Sequence, residues 1–118
     1  MAKFFKSLGN HKNLLAYQKA MCVYAGAVYF SRRFMKPEDR TIGQMEQAAR
    51  SVKQNIVEGN IDGATSTYSN IHLLNIARGS LGELKEDFED YLRNNNLLQW
   101  ELNSDKCKCA RRVCGTAV

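Results

Sequence analysis

Apolar residues recur along this chain at steps of three and four, the spacing that places side chains on one face of an α-helix. Leu14, Tyr17, Met21, Tyr24 and Val28 mark a first helix. It should start near Asn13 and fade between Arg33 and Lys36, because Pro37 disfavours helical geometry in the residue before it. "KPEDRT" then reads as a turn, with Thr41 as the N-cap of a second helix. The second stripe is Ile42, Met45, Ala49, Val52 and Ile56, and Gly59 follows it at the expected left-handed C′ position. "NIDGAT" is a loop, with Thr65 or Ser66 capping a third helix that runs to about Asn94. The third stripe is Ile71, Leu74, Ala77, Leu81, Leu84, Phe88 and Tyr91.

Three amphipathic helices joined by short turns predict an all-α, antiparallel up-down bundle. Ala77, Gly79, Ser80 and Gly82 cluster in the middle of the third helix. Glycines inside a helix cost roughly 1 kcal/mol each relative to alanine, a cost that makes sense where another helix approaches closely. Ala48 and Ala49 on the second helix are the expected counterpart. After "NNN", Leu97, Leu98 and Trp100 offer an apolar anchor, and "SDKCKCARRVCGTAV" has room for one short, basic final helix at most. The chain therefore divides into a basic N-terminal arm (1–12), a helical bundle (13–103) and a basic, cysteine-containing tail or short last helix (104–118). With the fourth element weak, part of an apolar stripe stays uncovered, which predicts oligomerisation. The alternative is that the long first and third helices close a three-helix core unaided.

Composition narrows the class. The length of 118 residues suits one domain, and a 44% apolar and 25% charged content is ordinary for a soluble protein. The start "MAKFFKSLGN" lacks the apolar core of a secretory signal, and the longest apolar run, "AMCVYAGAVYF", is too short to span a bilayer. A cytoplasmic location with no membrane partner is expected. The net charge of +5 is unevenly spread. Residues 1–36 hold seven cations and no acid, residues 37–105 hold all twelve acids, and four further cations follow. Such asymmetry points to a polyanion partner or to association between unlike faces.

Candidate chemistry is sparse. In a cytosolic setting the four cysteines are expected to be free thiols, with Cys22 a small core residue. Cys107, Cys109 and Cys114 form C-x-C-x4-C, which departs from the usual zinc knuckle and has no histidine close in sequence, so no metal or other cofactor is expected. His11 and His72 lack a nucleophile at motif spacing, "GNIDGATS" lacks the lysine of a phosphate loop, and the carboxylates of "GELKEDFED" are too consecutive for a paired acid and base. A non-enzymatic role follows.

Four segments carry a specific pattern: "YQKA" (Tyr17 to Ala20), "RT..QM.QAARS..QNI.EG" (Arg40 to Gly59), "IARGSL.EL..D..DYLR" (Ile76 to Arg93), and Trp100. Over about three-quarters of its length the chain resembles the bacterial four-helix-bundle superfamily. That superfamily includes ribosomal intervening-sequence proteins and the accessory variability determinants of diversity-generating retroelements, and the nearest branch is the four-helix-bundle suffix-domain proteins. The resemblance implies a four-helix bundle assembling as a ring-like homopentamer, with no established enzymatic activity. Retroelement accessory proteins bind nucleic acid and associate with a reverse transcriptase. Suffix-type relatives continue into a further long helix, so the fourth helix is expected to be short or reduced here.

The leading expectation is an oligomeric bundle that holds RNA or DNA through phosphate contacts, with assistance to a reverse transcriptase implied by the resemblance. The candidate contacts are Lys12, Lys19, Arg32 and Arg33 on the first helix and Arg50 and Lys53 on the second, with Lys106, Lys108, Arg111 and Arg112 at the end. The alternative is a protein-binding scaffold whose basic arms meet the acidic third-helix face of a neighbour. In "QAARSVKQNIVEG", Asn55 is expected to bridge groups across the helix interface. Glu58, next to Gly59, is expected to be held by Arg78 or Arg50, or to accept from free N–H groups opening the third helix.

Overall fold

A computed structural model describes residues 11–60 and 67–116, with side chains described for residues 15–59 and 68–114. The arm over residues 1–10 and most of the "NIDGAT" loop, with the Thr65 or Ser66 cap, lie outside the described residues. The described chain is all helical: α1 (His11–Phe34), α2 (Thr41–Asn60), α3 (Thr67–Asn94) and α4 (Asp105–Thr116). Adjacent helices pack antiparallel and the last is short, in keeping with the expected fold class. The central helix α2 packs extensively on both α1 and α3, whereas α4 touches α1 only lightly.

The α2 stripe is buried where the sequence periodicity puts it. Met45 and Ala49 are wholly inaccessible, Ala48 and Val52 nearly so, and Ile42 and Ile56 are half-buried. Met45 and Leu84 anchor the core with Ala27, Ala48 and Ala49, flanked by Val23, Tyr24, Phe30, Met35 and Phe88. Full burial of a side chain such as Met45 or Leu84 contributes about 1.5–3 kcal/mol. Phe30 of α1 meets Phe88 and Tyr91 of α3 edge-on, at centroid separations of 5.1 and 4.8 Å. These contacts tie the outer helices together at one end of the bundle.

The core face of α1 differs from the predicted stripe. Ala20, Ala27 and Ser31 are buried, while Met21 is exposed. Small side chains admit α2 closely, so the larger residues of the stripe turn to the flanks. Ser31, the buried polar residue of this face, has the Val28 carbonyl and the Glu46 carboxylate as alternative acceptors for its one hydroxyl proton, at 3.2 and 3.3 Å. In α3, Ala77 and Leu84 are buried and Phe88 and Tyr91 half-buried, but Ile71, Leu74 and Leu81 are exposed. An open apolar groove of about 350 Å³ runs between Val23 of α1 and Leu81, Leu84, Phe88 and Leu92 of α3, with Gln99 at its edge.

Helix ends and glycines bring further corrections. The Thr41 amide donates to the Asp39 carboxylate at 2.9 Å, so Asp39 rather than Thr41 caps the start of α2. Gly59 is not a C′ residue, since α2 continues to Asn60. A Cβ at Gly59 would lie 3.3 Å from the Asn70 carbonyl oxygen and 3.4 Å from Leu73 and Leu74, so this glycine lets α3 approach. By contrast, a Cβ at Gly79 or Gly82 would meet nothing within 4 Å, and neither marks a close helix contact among the described residues. The α3 stop is a Schellman motif with Asn96 at φ 56°: the Leu97 amide bonds to Leu92 O at 2.8 Å and Asn96 to Arg93 O at 3.2 Å.

The cysteines depart most from expectation. Cys22 of α1 and Cys114 of α4 form a disulfide with a Cα–Cα distance of 6.0 Å, leaving Cys107 and Cys109 as free thiols. Cys22 is therefore a half-buried cross-link and not a core thiol. Folding sets these sulfurs side by side across a separation of 92 residues, which local spacing could not reveal.

Candidate functional site

The most concentrated basic surface lies on α4, whose start is locally encoded. The Ser104 hydroxyl accepts from the Cys107 amide at 3.2 Å, the N-cap geometry, and Asp105 occupies the first turn, where the helix dipole favours an anion. Lys108, Arg111 and Arg112 follow at helical spacing on one exposed face and line a shared depression with Asp105. One Arg111 nitrogen donates to the Leu102 carbonyl at 2.7 Å, orienting the guanidinium. Lys106 sits on another side of the helix, 5.8 Å from the centre of the Trp100 ring.

Several of the other predicted contacts are engaged by neighbouring groups. Arg32 donates through Nε to Glu46 at 3.0 Å, and this hydrogen bond, then the Glu46 charge, raise its guanidinium further above its ordinary value. That cation is partly neutralised by a partner on α2, which the acid-free sequence of α1 gave no reason to expect. Lys53 places its ammonium 4.4 Å from the Tyr24 ring centre, bridging α2 and α1, and Arg33 lies over Phe34 at 5.9 Å. Lys19 and Arg50 are exposed, while the side chain of Lys12 falls outside the described residues.

The acidic side of the molecule is on α3. Glu83, Glu86, Asp87, Glu89 and Asp90 crowd its C-terminal half. Burial first, then the charges of Asp90, Glu83 and Glu86, hold the Asp87 carboxyl above its ordinary value. Asp90 pairs with Arg93 one turn on. Asp87 and Asp90 also border a polar cavity of about 550 Å³ with Phe34, Asp39, Gln44 and Tyr91.

Ser51 and Asn55 of α2 are engaged structurally. The Ser51 and Ser80 hydroxyls lie 2.8 Å apart across the α2–α3 interface. Asn55 donates to the Ser51 carbonyl and hydroxyl at 2.8 and 3.1 Å, so it reaches α3 through Ser51 and not directly. Glu58 is exposed and pairs with neither Arg50 nor Arg78 among the described residues, while the N–H groups near Ser66 that were its other expected partners lie outside them. Its place near the end of α2, facing solvent, lets water solvate the charge in place of a cation. Ser80 belongs to the small-residue cluster expected to meet another helix, but its pairing with Ser51 could not be read from the sequence, because it depends on helix register.

Among the described residues, no group of three or more His, Cys, Asp or Glu side chains is arranged to hold a metal ion. No described helix is long and apolar enough to cross a membrane. Comparison with individual curated proteins and with solved structures gives no match. The sequence model of one family, described as 23S rRNA-intervening sequence protein, matches residues 12–111, which takes in all of α2 and α3 and most of α1 and α4. With its pattern of Arg40 to Gly59 and Ile76 to Arg93 built into the packed α2–α3 pair, the chain belongs to the 23S rRNA-intervening sequence protein family.

Proposed function

We propose that this protein is a non-enzymatic nucleic-acid-binding accessory protein that works as a homo-oligomer and holds RNA or DNA through phosphate contacts. The observation that carries this reading is the exposed Lys108–Arg111–Arg112 face of α4, where cations share one depression. Exposed Lys19 and Arg50 extend the basic surface. Arg32, partly neutralised by Glu46, contributes less than the exposed Lys19 and Arg50. Contacts of this kind are driven by charge and shape and depend steeply on salt. Repetition of the basic face in an oligomer multiplies a modest affinity per chain.

Electrophoretic shift and fluorescence anisotropy with duplex DNA, single-stranded DNA and structured RNA test the proposal. Binding should weaken strongly between 50 and 200 mM salt, and neutralising Lys108, Arg111 and Arg112 together should flatten the salt dependence by a slope of about 2–3 on duplex DNA. Absence of binding to all three at low salt overturns it. Resemblance to retroelement accessory proteins extends the reading to a pentameric ring and a reverse transcriptase partner, testable by co-purification with one encoded beside it.

The second reading is a protein-binding scaffold without nucleic-acid binding. The crowded acids of α3, with the Asp87 carboxyl raised, favour it as a surface suited to a basic partner. It predicts oligomers that fall apart in high salt and purified protein with an absorbance ratio free of nucleic acid.

A further inference from the structure

We infer that the Cys22–Cys114 bond is a thiol–disulfide exchange site that latches the basic helix α4 to the bundle, and that a dithiol reductant opens it. Three observations converge on this. The bond joins α4 to α1 across 92 residues, while packing between the two helices is light. Among the described side chains of α4 only Cys107 and Cys114 are half-buried, and their seven-residue spacing places both on the side turned to the protein. The connection from Asn95 to Asn103 is exposed throughout, and the hydrogen bonds described for it are local, between residues 91 and 111. At 12 residues α4 is marginal on its own even with its Ser104 cap, so its amides open once it leaves α1.

Both bonded cysteines are half-buried, within reach of a small thiol. A thiolate of the dithiol attacks one sulfur of the pair, forming a mixed disulfide and releasing the other cysteine as a thiolate. The second thiol of the reductant then attacks its own sulfur in that mixed disulfide and releases the remaining cysteine. Two electrons and two protons pass to the protein, which ends with thiols at Cys22 and Cys114, while the reductant ends as a cyclic disulfide. The consequence is positional. Lys106, Lys108, Arg111 and Arg112 move with α4, away from Cys22 and the adjoining Val23 edge of the apolar groove. Redox state thereby sets where the basic helix is displayed, whatever polyanion or partner it meets.

The test uses the full chain, with thiols blocked at lysis by iodoacetamide and the intact protein weighed before and after dithiothreitol. Two adducts, mapping to Cys107 and Cys109, are expected before reduction and four after reduction and re-alkylation. Amide hydrogen exchange should then show residues 105–116 losing at least tenfold in protection on reduction, while α1–α3 keep theirs. Cys22→Ser and Cys114→Ser variants should match the reduced protein with or without dithiothreitol. Four adducts at lysis overturn the inference. So does α4 protection that reduction leaves unchanged, or a loss of protection throughout α1–α3, which makes the bond a structural staple and not a latch.

Discussion

At the scale of single residues, the glycines separate what a sequence can convey from what only a neighbour decides. Gly59 follows the last periodic position of α2 and has the local marks of a C-cap, yet it is helical and α3 passes beside it. Gly79 and Gly82 have the marks of a helix contact, yet open space lies where their side chains would be. Replacing Gly82 with alanine should therefore stabilise the chain by about 0.5–1 kcal/mol, the ordinary helix preference. At Gly59 the same gain is offset by pressing a methyl group against the Asn70 carbonyl, so Gly59→Ala should fall below Gly82→Ala by about 1 kcal/mol or more. Urea unfolding of both variants measures the difference, and equal gains would show that α3 does not hold that close approach. Other local features were legible in kind but not in outcome: Ser51, Ser80 and Asn55 are visibly polar in an apolar helix pair, but the hydrogen bonds between them exist only once the α2–α3 register is set. The Asn96 cap of α3, by contrast, is a local signal in the "NNN" run that needs no tertiary knowledge.

At the scale of elements, legibility tracks how completely a helix is surrounded. The α2 stripe was readable because α2 lies between two neighbours, and burial on both sides leaves its periodicity unmistakable. For α1 the large residues set the apparent phase, while close approach selected Ala20, Ala27 and Ser31. For α3 the stripe is real but half of it faces outward, and the pattern of apolar residues alone does not say which half. The basic face of α4 was legible as charge, whereas its anchorage through Cys22 was not, since nothing near either cysteine in sequence marks the other. The acidic half of α3 has a measurable cost. Because the Asp87 carboxyl is raised in the fold, the native state holds its proton more tightly than the unfolded chain. This group's contribution therefore falls as pH rises from its ordinary value of 3.8 through the raised native value. Asp87→Asn removes that penalty, so the variant should melt above the parent at pH 7 and the gap should close near pH 3. Thermal denaturation at both values checks this, and a gap that does not change with pH would assign the effect to packing instead.

For the whole molecule, the central fact is that a three-helix arrangement leaves α4 at its margin and an apolar face in the open. Leu81 is exposed at the groove bounded by Val23, Phe88 and Leu92, and the exposed Leu74 and Ile71 follow it at helical spacing toward the start of α3. Individually exposed apolar residues are normal, but a continuous set along one helix favours a covering partner. The homo-oligomer of the proposed function supplies that cover with a second copy of the same chain. A charge placed at Leu81 sits at the centre of this face and outside the buried core, where it should block association and spare the fold. Light scattering after gel filtration should give a multiple of the monomer mass for the parent chain and the monomer mass for Leu81→Asp, with the helical circular dichroism retained in both. The same variant then separates avidity from contact chemistry. Its nucleic-acid affinity should drop while the salt slope per chain stays near that of the parent, because the cations on α4 are untouched. A parent chain that is already monomeric at micromolar concentration removes the oligomer from the proposal and leaves the basic face to act alone.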